Sequence, residues 1–342
     1  MRTYSRAAAA LVLSVALSGA ARASEAYSTA IDAYRHGVEA HREGDTATAL
    51  TAFDYAAEQG VLGAQLKLAK MYAAGDGVER NEGKAFNYYQ RVADLYAETS
   101  PLHPIARYIA DAFVSLGHYY RAGVPAIGLS PDAVRAVGMY RHAASYFGDA
   151  AAQYHLARMY LAGEGVRKDA GLAVNWLANA TKKHHPPSQA LLGDILCHGS
   201  DGVRPQPKKG LALLALARQN AGKDDVVWIE ALYAQALAGA RPADREGADR
   251  LFSYWRRQPG KAEDMAVTIA KEGDPLAAPL AEDSTPGAKP VAPPASAPAQ
   301  PTSGEPAPRP SAAVIEGPRA DRRSLGLTTF QNVGADAALA PR

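Results

Sequence analysis

Two stretches of this chain overlay without a gap, and that self-similarity constrains the fold more than any other feature. Ala64–Ala93 reads AQLKLAKMYAAGDGVERNEGKAFNYYQRVA, and Ala152–Ala180 reads AQYHLARMYLAGEGVRKDAGLAVNWLANA. Met71-Tyr72 falls on Met159-Tyr160, Gly75-Asp76-Gly77-Val78 on Gly163-Glu164-Gly165-Val166, Ala85 on Ala173, and Tyr88 on Trp176. Each copy reads as two short helices about a turn. Leu156, Met159 and Tyr160 keep helical spacing, Gly163 and Gly165 interrupt it, and Leu172, Trp176, Leu177 and Ala180 resume it. Glycine suits the turn because it takes positive φ where a helix ends.

Looser copies follow the same plan. One holds Leu116-Gly117, Tyr119-Tyr120, Gly123 and Met139-Tyr140; another holds Leu192-Gly193, Gly199 and Gly202-Val203. The turn glycines Gly75, Gly123, Gly163 and Gly199 stand 48, 40 and 36 residues apart. A single helix pair cannot bury its own apolar face, so a recurring one must stack on its neighbours. The expected fold class is all-α, an α-solenoid. A shorter-turned pair over 27–59 opens it, and Val226–Ala238 with Ala243–Arg257 close it. The sequence therefore predicts six antiparallel helix pairs across 27–257, no β-sheet, and Tyr72, Tyr120, Met159, Tyr160 and Trp176 at the packed interfaces. Pro101 and Pro104 rule out an uninterrupted helix over Leu95–Tyr108, and Pro125 and Pro131 mark a second extension over Val124–Asp132. Both extensions read either as ordinary loops or as partner contacts.

The motif A-x-x-x-L-[GA]-x-M-Y-x-x-G-x-G-V, closed by an Ala and a Trp or Tyr, resembles the Sel1-like repeat, a relative of the tetratricopeptide repeat. The resemblance covers about Tyr27 to Arg257 and implies a curved superhelix that works as a scaffold or adaptor. Such a superhelix carries many functions, so the fold is implied more firmly than the task.

The two ends differ from this body. Residues 1–23 read as a signal peptide: Arg2 and Arg6 form a basic start, Ala7–Ala20 an apolar centre, and Ala21-Arg22-Ala23 an A-x-A cleavage site. The apolar stretch is short for a membrane span, which needs about 20 residues. Export to a bacterial periplasm is expected, with no membrane span left after cleavage; an uncleaved anchor is the alternative. The repeat domain is placed at 24–258 and a Pro/Ala-rich disordered tail at 259–342, with a short helix over Lys261–Lys271 and a small apolar island at Ser324–Phe330. Cleavage removes Arg2, Arg6 and Arg22 and no acid, which moves the formal charge from +2 to −1. A near-neutral mixed-charge chain has no nucleic-acid footprint.

No catalytic constellation is visible. G-x-S-x-G, G-x-x-x-x-G-K-[ST], H-E-x-x-H and C-x-x-C are all absent. Gly75-Asp76-Gly77 and its copy Gly163-Glu164-Gly165 are turns between helices. His184-His185 has no matching His or Cys cluster, so no metal and no cofactor are expected. The single Cys197 reads as a packed thiol, with a redox switch as the alternative. The chain is expected not to be an enzyme.

Candidate binding residues are those where the repeats differ. In each first helix, the pair three apart before the Met-Tyr position reads Lys67 and Lys70, Ser115 and His118, His155 and Arg158, then Leu191 and Asp194. Residues three apart share a helix face. In superhelices of the resembled type the first helices line the concave side, so these pairs would form a partner-binding stripe. It is basic and histidine-bearing over three units and acidic at the fourth. A merely solvated face is the other reading.

The signal segment, the run AYRHGVEAHREGDTATAL, the Gly60–Ala93 unit and the proline-bearing insertion together look like the family of periplasmic negative regulators of exopolysaccharide production in alphaproteobacteria. That resemblance implies binding to the periplasmic part of a membrane sensor histidine kinase, which is held off until acid or host-associated conditions promote proteolysis of the regulator. A periplasmic protease is thus a second implied partner. The nine histidines all lie beyond residue 23, and His118, His155, His184 and His185 are the candidate acid sensors. A non-enzymatic scaffold for envelope or polysaccharide assembly is the alternative function.

Overall fold

The computed structural model describes residues 27–258. The signal segment 1–23 and everything expected of residues 259–342, including the Lys261–Lys271 helix and the 324–330 island, lie outside the described residues. Twelve α-helices follow one another: α1 Ala30–Glu43, α2 Thr46–Glu58, α3 Leu62–Ala74, α4 Glu82–Tyr96, α5 Ala106–Ala122, α6 Ala133–Ser145, α7 Ala150–Ala162, α8 Ala170–Thr181, α9 Pro186–His198, α10 Pro207–Asn220, α11 Val226–Gly239 and α12 Pro242–Arg257. Among the described residues there is no strand; two isolated bridges, Val124 with Leu129 and Ser200 with Val203, tie loops.

Each hairpin is written locally. The second helices α2, α4, α6 and α8 all begin on an Asx cap: Asp45, Asn81, Asp132 and Asp169 accept a hydrogen bond from the backbone N–H three residues on. Such a cap contributes about 1 kcal/mol over alanine. The first helices α3 and α7 end on Gly75 and Gly163 at φ 74° and 72°. Two residues later Gly77 and Gly165 repeat the positive φ, and each faces the start of the preceding repeat's second helix. A Cβ on Gly77 would lie 2.7 Å from the Thr46 side chain, and one on Gly165 2.4 Å from the Ala133 carbonyl oxygen. The second glycine of the motif is therefore an inter-repeat contact as well as a turn. Gly123 and Gly199 differ: they keep positive φ but have ψ 167° and 172° and lead into the bridged loops.

The pairs α1/α2, α3/α4, α5/α6, α7/α8 and α9/α10 pack as hairpins, and each second helix packs on the next first helix. First helix α5 also touches α7, and α9 touches α11. The core falls into three clusters, joined by half-buried repeat aromatics. Tyr72 and Tyr88 pack against both the first and the second cluster; Tyr160 and Trp176 pack against both the second and the third. Tyr120 and Met159 are buried outright. All but Tyr88 are residues expected at the interfaces, and Tyr72, Tyr88, Tyr160 and Trp176 stitch cluster to cluster.

The last pair departs from expectation. α12 packs along α10, α11 packs on α10 and α9, and α11 and α12 scarcely touch beyond the two-residue turn that joins them. Five hairpins, not six, are formed among the described residues. Small residues allow this closure: Gly247 lies against the Lys208 side chain, and Ala248 and Trp255 enter the core. No helix among the described residues is long and apolar enough to cross a membrane.

Candidate functional site

The first helices carry the residues singled out by repeat comparison, but not as one exposed stripe. Between α5 and α7 the second residue of one pair meets the first of the next. His118 on α5 meets His155 on α7 edge to face, with ring centroids 4.4 Å apart. Tyr140, from α6, completes this group: its hydroxyl shares a 2.9 Å hydrogen bond with His118 Nδ1, and its ring stacks on His155 at 5.2 Å. Tyr154 packs against His155 at 5.2 Å and against His185 at 5.7 Å. Arg158 sits over the Tyr154 ring at 5.7 Å, a cation–π arrangement. Arg121 reaches across one repeat to Glu164, its Nε donating to both carboxylate oxygens at 2.8 and 3.0 Å.

Electrostatics follow from this crowding. Burial, joined by the charges of His118, Arg158, His185 and Arg121, holds His155 well below the usual imidazole range. Burial alone lowers His185 to about 4. His118 keeps an exposed edge; burial of the rest of its ring, then Arg121 and Arg158, push it down. At neutral pH the group is thus a neutral imidazole–phenol cluster rimmed by arginine, suited to apolar and hydrogen-bonding contact with a protein surface.

The remaining stripe residues are held elsewhere. Lys67 donates to His41 Nε2 at 2.8 Å and lies 3.7 Å from Asp76; Lys70 lies 4.0 Å from Asp111. Burial lowers the Lys67 pKa, with Asp76 opposing. Both lysines are therefore already partnered. Ser115 is a correction to the stripe: it is 9% exposed and its hydroxyl donates to the Asp111 carbonyl at 2.8 Å. Asp194 pairs with His198 at 3.0 Å on the outermost turn of α9, and Leu191 is half-buried. Repeat comparison read Tyr140 only as a repeat position, equivalent to Tyr89, and missed Tyr154, which differs from its counterpart Leu66, and Arg121 and Glu164, whose ion pair spans 43 positions.

A shallow cleft of about 340 Å³ lies between the 97–105 insertion and the α6–α7 corner, lined by His103, Arg107, Phe147 and Lys183 among others. Next to it, burial raises Asp111 to about 6, with Lys70 opposing and Asp149 reinforcing. Cys197 is half-buried against Gly210, and burial pushes its thiol up to about 12, which fits the packed-thiol reading. His184, in the α8–α9 turn, is exposed and takes φ 56°, an unusual value for a residue with a side chain. Among the described residues no three His, Cys, Asp or Glu converge as metal ligands.

Comparison with known proteins places this architecture. A Sel1 repeat profile matches residues 63–96, 112–145, 150–185 and 186–220, which are the hairpins α3/α4 to α9/α10. An exopolysaccharide production negative regulator of Rhizobium leguminosarum bv. viciae is 38% identical over 205 residues, 60% of this chain and 74% of the relative. Its counterpart in Rhizobium meliloti is 36% identical over 200 residues, 58% of this chain and 72% of the relative. The crystal structure of a protective antigen of uropathogenic Escherichia coli with an SLR fold superposes with TM-score 0.54 at 24% identity, over 73% of this chain and 50% of that one, and shares the fold. The chain is a Sel1-repeat protein and belongs to the family of exopolysaccharide production negative regulators.

Proposed function

We propose that this protein is a periplasmic, non-enzymatic negative regulator of exopolysaccharide production, and that it acts by binding the periplasmic domain of a membrane sensor histidine kinase. The observation that carries the reading is the His118–His155–Tyr140–Tyr154 cluster with its Arg121 and Arg158 rim, on the first helices of a repeat scaffold. Partly exposed rings packed on the buried Tyr140 and flanked by exposed arginines have the composition of an interface anchor. The relatives' names support a role in restraining exopolysaccharide production, and the reading of residues 1–23 as a signal peptide supports the periplasm.

The test is a deletion strain complemented in trans. Loss of the gene raises exopolysaccharide in a kinase-dependent way, the wild-type chain restores it, and Arg158→Glu, which folds normally, does not. Unchanged exopolysaccharide with an envelope defect in the deletion strain sinks this reading. That outcome favours an assembly scaffold, for which the long Pro/Ala-rich stretch after residue 275 is the supporting feature.

A further inference from the structure

Nine residues, 97–105, join α4 to α5, whereas every other second helix is joined to the next first helix by three to five. This insertion is held in place at both levels of its structure. From the end of α6, the Tyr146 hydroxyl donates to the Glu98 carbonyl and His142 Nε2 to the Ala97 carbonyl, both at 3.2 Å. Within the insertion, the His103 N–H donates to the Ser100 carbonyl and the Ala106 N–H to the His103 carbonyl, both at 2.9 Å. With the α6–α7 corner it walls the cleft of about 340 Å³, a volume in the range of small-molecule sites. The cleft shares no residue with the ring cluster.

Three donors line it from three different elements: His103 on the insertion, Arg107 on α5 and Lys183 in the α8–α9 turn. Lys183 lies across Gly148, where a Cβ would come within 2.9 Å of its Nζ, and donates to the Gly148 carbonyl. Arg107 is steadied over the Tyr108 ring at 4.5 Å and donates to the Tyr108 hydroxyl. An ammonium has three N–H donors and a guanidinium five, so both keep donors to spare. Among the described residues neither meets a carboxylate within 4 Å, whereas Lys67, Lys70 and Arg121 on the first helices each do. His103 Nδ1 accepts from the Ile105 N–H at 3.3 Å, which leaves Nε2 to donate. Asp149, the one acid in the lining, is committed to its own helix: its Oδ1 accepts from the Ala152 N–H at 2.7 Å as the N-cap of α7. The half-buried Phe147, packed on Phe113 at 6.1 Å, adds an aromatic surface.

We propose that this cleft binds a sugar acid, with its carboxylate between Arg107 and Lys183, a hydroxyl on His103 and the C–H face of its ring against Phe147. A uronic acid unites the three features that the lining calls for: an anion for two cations, hydroxyls for neutral donors, and an apolar face for an aromatic ring. Inorganic phosphate would engage the cations and leave Phe147 unused, and a neutral hexose would leave both cations without a counter-charge. Arg107 belongs to α5 and Lys183 to the end of the following hairpin, so the ligand ties two successive repeats together.

The test titrates the full chain with D-galacturonate, D-galactose and inorganic phosphate, read from the amide chemical shifts of Gly148 and Ala150, which line the cleft. D-Galacturonate is expected to shift both amides saturably and to bind at least tenfold more tightly than galactose or phosphate. Arg107→Gln and Lys183→Gln are each expected to weaken it at least tenfold, with the thermal melt unchanged because both side chains are exposed. A trigalacturonide that binds more tightly than the monomer assigns the ligand to a polysaccharide chain, and one that binds more weakly assigns it to a free sugar acid; either result supports the site. Absence of saturable galacturonate binding by the wild-type chain, equal binding of galactose or phosphate, or unchanged affinity in both variants overturns the proposal. None of these outcomes bears on the ring cluster and its partner, which use other residues.

Discussion

Acidification is the perturbation whose effect can be worked most fully from the structure. His155 and His185 are held neutral in the fold, the first far below the usual imidazole value and the second at about 4. A histidine with a depressed folded pKa gives stability that is complete above its unfolded value, about 6.5, and is lost as pH falls below that value toward the folded one. At pH 5.5 each such group costs about 1.4 kcal/mol relative to pH 7.5. Asp111 opposes them: burial raises it to about 6, so it takes up a proton more readily folded than unfolded, but its carboxylate is about half open to solvent, which screens that return. The net loss is at least about 2 kcal/mol, and half-buried His142, also lowered by burial, adds in the same direction.

A local cause accompanies the thermodynamic one. His185 Nδ1 accepts from the Ser188 N–H as the N-cap of α9, and a protonated Nδ1 cannot accept. Because solenoid repeats couple only to neighbours, the loss concentrates in α7 to α9. Amide exchange should therefore quicken about 30-fold there between pH 7.5 and 5.5, after correction for intrinsic rates, and far less in α2, which has no histidine. His155→Phe keeps a ring beside Tyr140 and should remove about 1.4 kcal/mol of the response. Equal exchange corrected for intrinsic rates at the two pH values, or a full response in His155→Phe, would falsify this reasoning.

Further predictions follow from packing. Leu156→Ala, at a fully buried position of the second core cluster, should cost about 2–5 kcal/mol in a urea or thermal melt. Gly165→Ala combines a positive φ with a contact on Ala133, so it should destabilise by more than about 1 kcal/mol and more than Gly202→Ala, where a Cβ meets nothing within 4 Å. Lys67→Ala with Lys70→Ala should leave partner affinity within about threefold, since both ammonium groups already face acids, whereas Arg158→Glu should weaken it at least tenfold in a titration.

The repeat made most of the fold legible. Asx caps, positive-φ glycines and aromatic spacing are local signals, and five hairpins appear where the motif places them. The α11/α12 pair was misread for a physical reason. Two adjacent amphipathic helices look alike in sequence whether they pack on each other or both pack on a third. Ser115 was misread because a first helix lies between two second helices and buries more than one face; α5 buries nine of its seventeen residues. Gln65 and Gln153 occupy the same place in both clear copies and donate to the preceding helix's Ala57 and Ala144 carbonyls at 3.2 Å. That amide was readable as a repeat position, but not as a bridge. The His118–His155 contact depends on the stagger between α5 and α7, which pattern alone does not encode.

The central claim is that the ring cluster and its arginine rim grip a protein partner. The most direct measurement is calorimetric titration of the mature chain with the purified periplasmic domain of the sensor kinase at pH 7.5, alongside Arg158→Glu and the remote control Leu102→Asp. Leu102 is 94% exposed on the insertion, so its variant should fold normally. The account predicts saturable binding that Arg158→Glu weakens at least tenfold and Leu102→Asp leaves unchanged. Absence of binding by the wild-type chain, or loss with Leu102→Asp and not with Arg158→Glu, would contradict it.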